Sequence, residues 1–242
     1  MVVLFLLVTF GSLLTSLTGL GGGTLILAGL LLFYPPELAL PLHSFTQFTA
    51  NALRAGIFFK KVSWKTVGAY ALLMLPFAWL GAELFEHVNS SILKIIVGTL
   101  ILVSVIPWKF RLKSEPRPST FVIAGGLSGF LGIFVGAVGP MVTPLFNRLP
   151  LGREGNLSTK SAGQMCLQFS KIIAFGGAAG VNYLAIKENI GILMLGSLIG
   201  VGISIPIGKK ISDQKFDVAV NILLALISIK ILFEGISELI SA

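Results

Sequence analysis

Two stretches of this chain, offset by a constant 117 residues, carry the same order of parts: an over-long apolar segment broken by glycine, then a segment with a polar stripe. The first reads Gly19-Leu20-Gly21-Gly22-Gly23-Thr24, followed by Ser44, Gln47, Asn51 and Arg54. The second reads Gly136-Ala137-Val138-Gly139-Pro140-Met141, followed by Ser161, Gln164, Gln168 and Lys171. Counterparts align without a gap. Glycine clusters interrupt helices, and duplicated interrupted segments are the sequence mark of membrane folds that place a ligand site between repeats.

The chain has 242 residues, 55% hydrophobic and 12% charged, whereas a soluble domain carries about 25% charged residues. Its mean hydropathy is +0.93. These values define an all-α, polytopic membrane protein embedded in a lipid bilayer. The apolar runs are continuous and lack period-two alternation, which excludes a β-barrel. The net charge of +8 resides mostly in short connections. It therefore reads as a topology signal, with no nucleic-acid partner. Cys166 stands alone in an apolar segment, so no intrachain disulfide forms. Residues 2–18 lack a basic leader region and a small-residue cleavage site, so they are expected to be a span rather than a signal peptide.

Eight apolar stretches are expected, near 2–34, 38–59, 64–86, 91–108, 119–150, 156–182, 187–208 and 216–240. Six suit a single crossing of about 20 residues. The first and fifth run to about 32 residues, roughly 48 Å as one helix against a core near 30 Å. They are expected either to re-enter or to cross twice. Both routes return the chain to its starting side. With that return, Lys60, Lys61, Lys65, Lys109, Arg111, Lys113, Arg117, Arg148, Arg153, Lys160, Lys209, Lys210 and Lys215 share one side, leaving Lys94 and Lys187 opposite. The positive-inside rule selects this arrangement and puts both termini outside. Each half then holds three crossings plus one even-parity segment. Residues 1–114 and 118–242 are therefore expected to be inverted-topology repeats of a single transmembrane domain, joined by a basic cytoplasmic linker at 109–119.

Ser44, Gln47, Asn51 and Arg54 recur at i, i+3, i+7 and i+10, which sets them on one helical face. Ser161, Gln164, Gln168 and Lys171 repeat that spacing. Polar groups in lipid must face protein or water, so the two stripes are expected to share a cavity. Interhelical hydrogen bonding is the competing explanation for any single residue. Lys171, near mid-span, is the hardest to explain that way. The breaks at Gly22, Gly23 and Gly139 would expose backbone N–H groups at the start of a second arm. Thr24 and Thr143 follow as hydroxyl donors. With Arg54 and Lys171 this forms a donor-rich cationic set, without the clustered ligands of a metal site. The expected substrate is a small anion, and no cofactor is expected. His43 begins the first stripe as a candidate proton carrier. Its offset counterpart is Lys160, so the repeat does not echo it.

The Gly19-Leu20-Gly21-Gly22-Gly23 break, the segment from His43 to Arg54, and Lys61-Val62-Ser63-Trp64 opening the next helix resemble the TauE/SafE family of sulfite exporters, also described as anion permeases. Gly136, Gly139, Pro140, Ser161 and Gln164 fit the same pattern in the second half. The resemblance implies a secondary transporter exporting sulfite or a related organosulfonate across the plasma membrane of a bacterium or archaeon. No Walker-type loop is present. Pro140-Met141 replaces Gly23-Thr24, so the two half-sites are not equivalent.

The expected function is alternating-access transport of a small sulfur-containing anion, by a monomer or homodimer. An anion channel with the same lining is the alternative. An enzyme is not expected, because Cys166 has no sequence-adjacent His to serve as its base.

Overall fold

The computed structural model of the chain describes residues 1–18, 21–105, 116–136, 138–207 and 214–241. Gly19, Leu20, Ala137, Lys209, Lys210 and the linker cations Lys109, Arg111 and Lys113 lie outside the described residues. The described residues form helices and no strand: α1 (Val2–Thr18), α2 (Gly22–Leu31), α3 (Pro36–Ile57), α4 (Trp64–Ala71), α5 (Met74–Glu86), α6 (Ser90–Val105), α7 (Pro118–Val135), α8 (Gly139–Phe146), α9 (Gly152–Gly177), α10 (Lys187–Ile207) and α11 (Gln214–Ser241). Pro36 and Pro118 occupy the first turns of α3 and α7, where the missing N–H costs no hydrogen bond.

Both over-long segments are interrupted at their glycines. The chain turns at Gly21 (φ 82) between α1 and α2, and at Gly136 (φ 69) between α7 and α8. Left-handed φ carries no Cβ penalty for glycine, which is why these residues supply the turns. The Tyr34 hydroxyl lies 3.8 Å from Met1 Sδ, and the Phe121 and Phe146 rings meet edge-on at 5.2 Å.

Contacts made near the helix ends distinguish the two ends of the helical bundle. At one end Lys61 pairs with Glu154, and Ser63 N–H donates to Thr159 Oγ1 at 3.0 Å. The other end, separated from the first by α4 and α5, holds Ser90 donating to Glu37 at 3.2 Å, Asn189 donating to the Tyr34 hydroxyl at 2.8 Å, and a Lys94–Glu238 pair at 2.5 Å.

Helices α3 and α9 pack against each other, as do α6 and α11. Helix α1 lies on α10, and α7 on α4 and α5; α3 also meets α10, and α5 meets α9. Backbones approach closely at two of these seams. A Cβ added at Gly125 would lie 1.8 Å from Tyr70 O, and one at Gly200 would lie 2.2 Å from Thr9 O. Small residues at such seams substitute close van der Waals packing for the hydrophobic drive that lipid does not provide.

Among the described residues, Trp64–Glu86, Pro118–Val135 and Lys187–Ile207 are long and apolar enough to cross a membrane. Val2–Leu17, Gly22–Leu31 and Ser90–Val103 are shorter apolar helices. Large apolar side chains face outward along the bundle, among them Leu80, Leu84, Ile123, Leu127, Leu195 and Leu226. Helices α3 and α9 are long but carry the polar stripes, which lowers their hydropathy. They bury them instead: Gln47, Arg54 and Gln164 are each 6% exposed and Lys171 is 0% exposed.

Candidate functional site

Helices α3 and α9 bring their stripes together against the two breaks, and a cavity of about 60 Å³ lies there. Gln47, Asn51 and Arg54 line it from α3, and Lys160, Gln164 and Gln168 from α9. Gly21, Gly23 and Thr24 contribute from the first break, Gly136 and Gly139 from the second, with Thr15 and His43 completing the wall. The start of α2 and the start of α8 thus both open onto one space. Neither helix has a side-chain cap for its first-turn N–H groups. Among the described residues no carboxylate lines the cavity.

Several lining side chains keep polar atoms without a protein partner. Gln47 Nε2, Arg54 Nε and Nη2, His43 Nδ1 and Gln168 Oε1 are buried and unpaired. A buried unpaired donor costs about 1–3 kcal/mol, more when charged. Such groups in a native fold therefore point to a ligand. Arg54 Nη1 donates to Asn51 Oδ1 at 3.2 Å, which fixes the guanidinium plane. Gln164 Nε2 donates to the Tyr70 hydroxyl at 3.3 Å, and that hydroxyl donates to Ser128 Oγ at 2.8 Å. His43 Nε2 sits 2.9 Å from Gly23 O. A carbonyl only accepts, so Nε2 carries a proton and the neutral ring leaves a lone pair on Nδ1.

Not every expected site residue reaches the cavity. Gly22 packs against α1, where an added Cβ would lie 2.0 Å from Gly11 O. Ser44 donates to Leu40 O at 2.9 Å within its own helix. Ser161 is buried away from the wall with Oγ unpaired. Thr143 donates to Gly139 O at 2.7 Å. Lys171 donates from Nζ to Gly136 O at 3.3 Å and lies over the Phe175 ring. It thereby satisfies a carbonyl freed where α7 ends, a role cations take readily at helix C-termini.

Thr15 and Lys160 were not among the expected site residues. Lys160 reads in sequence as one more loop-side cation, but α9 starts at Gly152, so the lysine stands two turns into the helix. Its Nζ lies 3.4 Å from Thr143 Oγ1. Among the described residues no group of three His, Cys, Asp or Glu side chains is placed to hold a metal ion.

A helical bundle with apolar outer faces, buried polar stripes and two broken helices opening on one polar cavity belongs to the class of multi-pass membrane transporters. The family model for sulfite exporter TauE/SafE matches residues 4–231, and the chain belongs to that family. No curated protein and no solved structure matches the chain.

Proposed function

We propose that this transporter moves a small sulfur-containing anion such as sulfite, outward across a prokaryotic plasma membrane, by alternating access at the cavity between the two breaks. The observation that carries the reading is the cavity itself. Two uncapped helix starts, the unpaired donors of Gln47 and Arg54 and a second cation at Lys160 line it, with no carboxylate among the described residues. A buried guanidinium whose Nε and Nη2 are unpaired, as at Arg54, calls for an anionic counter-charge. The volume of about 60 Å³ offers room for about four or five water positions, the scale of a small oxyanion.

The packing favours inverted repeats. The largest pairings, α3 with α9, α6 with α11, and α1 with α10 matching α7 with α5, map onto one another when the halves are exchanged, and contacts join the two ends of each broken segment. Lys60, Lys61 and Lys65 then share an end with Arg148 and Arg153, through the Lys61–Glu154 pair. The positive-inside rule makes that end cytoplasmic, with both termini outside. Rocking of one repeat against the other exposes the cavity alternately to the two sides.

The direct site is then Gly23, Thr24, Gln47, Asn51, Arg54, Gly139, Gln164 and Gln168, with His43 as the proton carrier. Gly22, Ser44, Thr143, Ser161 and Lys171 act by holding the broken helices and stripes in place. Proteoliposomes test the reading. Saturable sulfite flux with counterflow, lost in Arg54→Gln, is expected. Ohmic conductance instead makes the protein an anion channel, and absence of anion flux in a folded wild-type protein overturns the proposal.

A further inference from the structure

We propose that Tyr70, acting through Gln164, tunes the cavity to an oxyanion that carries its own O–H donor, over an anion of equal charge and shape whose oxygens only accept. The proposal rests on the anion-transport reading and names the chemical class of its substrate, a singly protonated oxyanion.

Tyr70 lies near the end of α4, fully buried, with its ring edge-on to Phe146 at 5.2 Å. Gly163, next to Gln164, leaves room for that ring, since an added Cβ would lie 2.9 Å from Tyr70 Cδ1. The hydroxyl donates to Ser128 Oγ on α7 at 2.8 Å and accepts from Gln164 Nε2 on α9 at 3.3 Å. A phenol has a single proton. Given to Ser128, that proton is not available to Gln164, so the hydroxyl holds the amide by its NH2 end. The carbonyl oxygen is the end of Gln164 left for the cavity, which this residue helps to line. Tyr70 is thus a positioning residue for the amide.

Two more acceptors belong to residues of the same wall. His43 commits Nε2 to Gly23 O at 2.9 Å and keeps an unpaired lone pair on Nδ1, and Gln168 Oε1 is buried without a donor. A fully deprotonated anion brings these groups nothing but further lone pairs, and in a low-dielectric interior an unmet polar group is costly. A ligand O–H turns one such contact into a hydrogen bond. The remaining oxygens of that ligand still meet the unpaired donors of Arg54 and Gln47.

The duplication sets the two glutamines apart. Gln47 is the counterpart of Gln164, 117 residues earlier, and its Nε2 is unpaired. The positions that match Tyr70 and Ser128 are Lys187 and Gly11. Lys187 opens α10 and Gly11 has no side chain, so the first half lacks the phenol and hydroxyl that tie down the second amide. The glutamines therefore offer a ligand opposite ends, N–H from α3 and C=O from α9. A site built this way rejects the analogue that leaves a buried acceptor unpaired.

Methylphosphonate and methanesulfonate form the probe pair. In mildly acid buffer each is a monoanion of nearly the same shape, and only the phosphonate keeps an O–H. Equilibrium binding of each to purified protein is measured by titration calorimetry at one pH, for wild type, Tyr70→Phe and Gln164→Leu. Wild type is expected to bind methylphosphonate at least about tenfold more tightly than methanesulfonate, the scale of a hydrogen bond to a charged group. Tyr70→Phe keeps the ring but frees the amide to turn its NH2 end toward the ligand, and the ratio is expected to fall to within about threefold. A tyrosine that only supports the fold would shift both probes alike and preserve the ratio. Gln164→Leu, which removes the acceptor, is expected to lose the preference as well. Equal wild-type affinities or a preference for methanesulfonate overturn the inference and leave anion transport standing, as does the wild-type ratio kept in either folded variant. If Tyr70→Phe fails to fold, the wild-type ratio and Gln164→Leu still decide. Folded wild type that binds neither probe nor sulfite overturns the transport reading itself.

Discussion

Arg54 Nη1 donates to Asn51 Oδ1 at 3.2 Å, one turn earlier on the same helix, while its Nε and Nη2 meet no protein acceptor. The amide fixes the plane of the guanidinium and leaves a fork of donors at the cavity. A guanidinium held this way binds an oxyanion through two parallel hydrogen bonds, which an ammonium does not reproduce.

Arg54→Lys is therefore expected to weaken sulfite binding by about tenfold although the charge is kept, and Arg54→Gln by about a hundredfold. Asn51→Ala, which frees the guanidinium to rotate, is expected to fall near the lysine variant. Calorimetric titration with sulfite checks the order. Equal affinity for wild type and Arg54→Lys would show that charge alone matters.

The two second-break glycines separate stability from function. Gly136 has φ 69, and an added Cβ would lie 2.6 Å from Leu27 Cδ2. Gly136→Ala is expected to cost about 1–3 kcal/mol through strain and a forced shift of Leu27. Gly139 has no atom within 4 Å of an added Cβ. Gly139→Ala should melt near the wild-type temperature yet transport poorly, because its methyl enters the cavity. Thermal unfolding in detergent, read beside flux in vesicles, checks both; a reversed pattern would contradict the site.

Lys171 is expected to behave unlike Arg54. Its ammonium is spent on Gly136 O at 3.3 Å, with the stem against Gly132. Lys171→Met leaves that carbonyl without the charge-assisted bond and should lower stability by about 1–3 kcal/mol. Sulfite affinity of the folded protein should stay within about threefold. A hundredfold loss of affinity at unchanged stability would place Lys171 on the anion.

His43→Gln tests the proton. Glutamine keeps a donor for Gly23 O but has no ring nitrogen to take up a proton. Sulfite binding is expected to persist while the dependence of flux on a proton gradient disappears. Unchanged gradient dependence in the variant would remove His43 from the coupling.

The breaks were legible in the sequence because a mid-segment turn with left-handed φ requires glycine, and Gly21 and Gly136 supply it. The stripes were legible because a helix repeats every 3.6 residues, so spacings of three and seven mark one face. What the spacing left open was which side chains reach the cavity. Lys171 and Arg54 share a register, but a carbonyl freed at Gly136 lies within reach of the lysine and captures it. Ser44 and Thr143 are short enough to bond their own helix backbone. Lys160 was hidden by counting it with the loop cations, although it lies inside the 156–182 stretch, four residues from its start. Thr15 is one of several hydroxyl residues in α1, with Thr9, Ser12 and Ser16, and like Thr9 and Ser16 it bonds its own helix backbone, so nothing in the sequence singled it out for the cavity.

Selenite has the shape and charge of sulfite and carries an anomalous scatterer, so a diffraction measurement at the selenium edge on selenite-soaked crystals locates the anion directly. A single selenium peak between Gly23 and Gly139, at hydrogen-bonding distance for an oxyanion from Arg54 and Gln47, is the expected result. A peak elsewhere in the bundle, or none in a protein that transports sulfite, would contradict the placement of the site between the two broken helices.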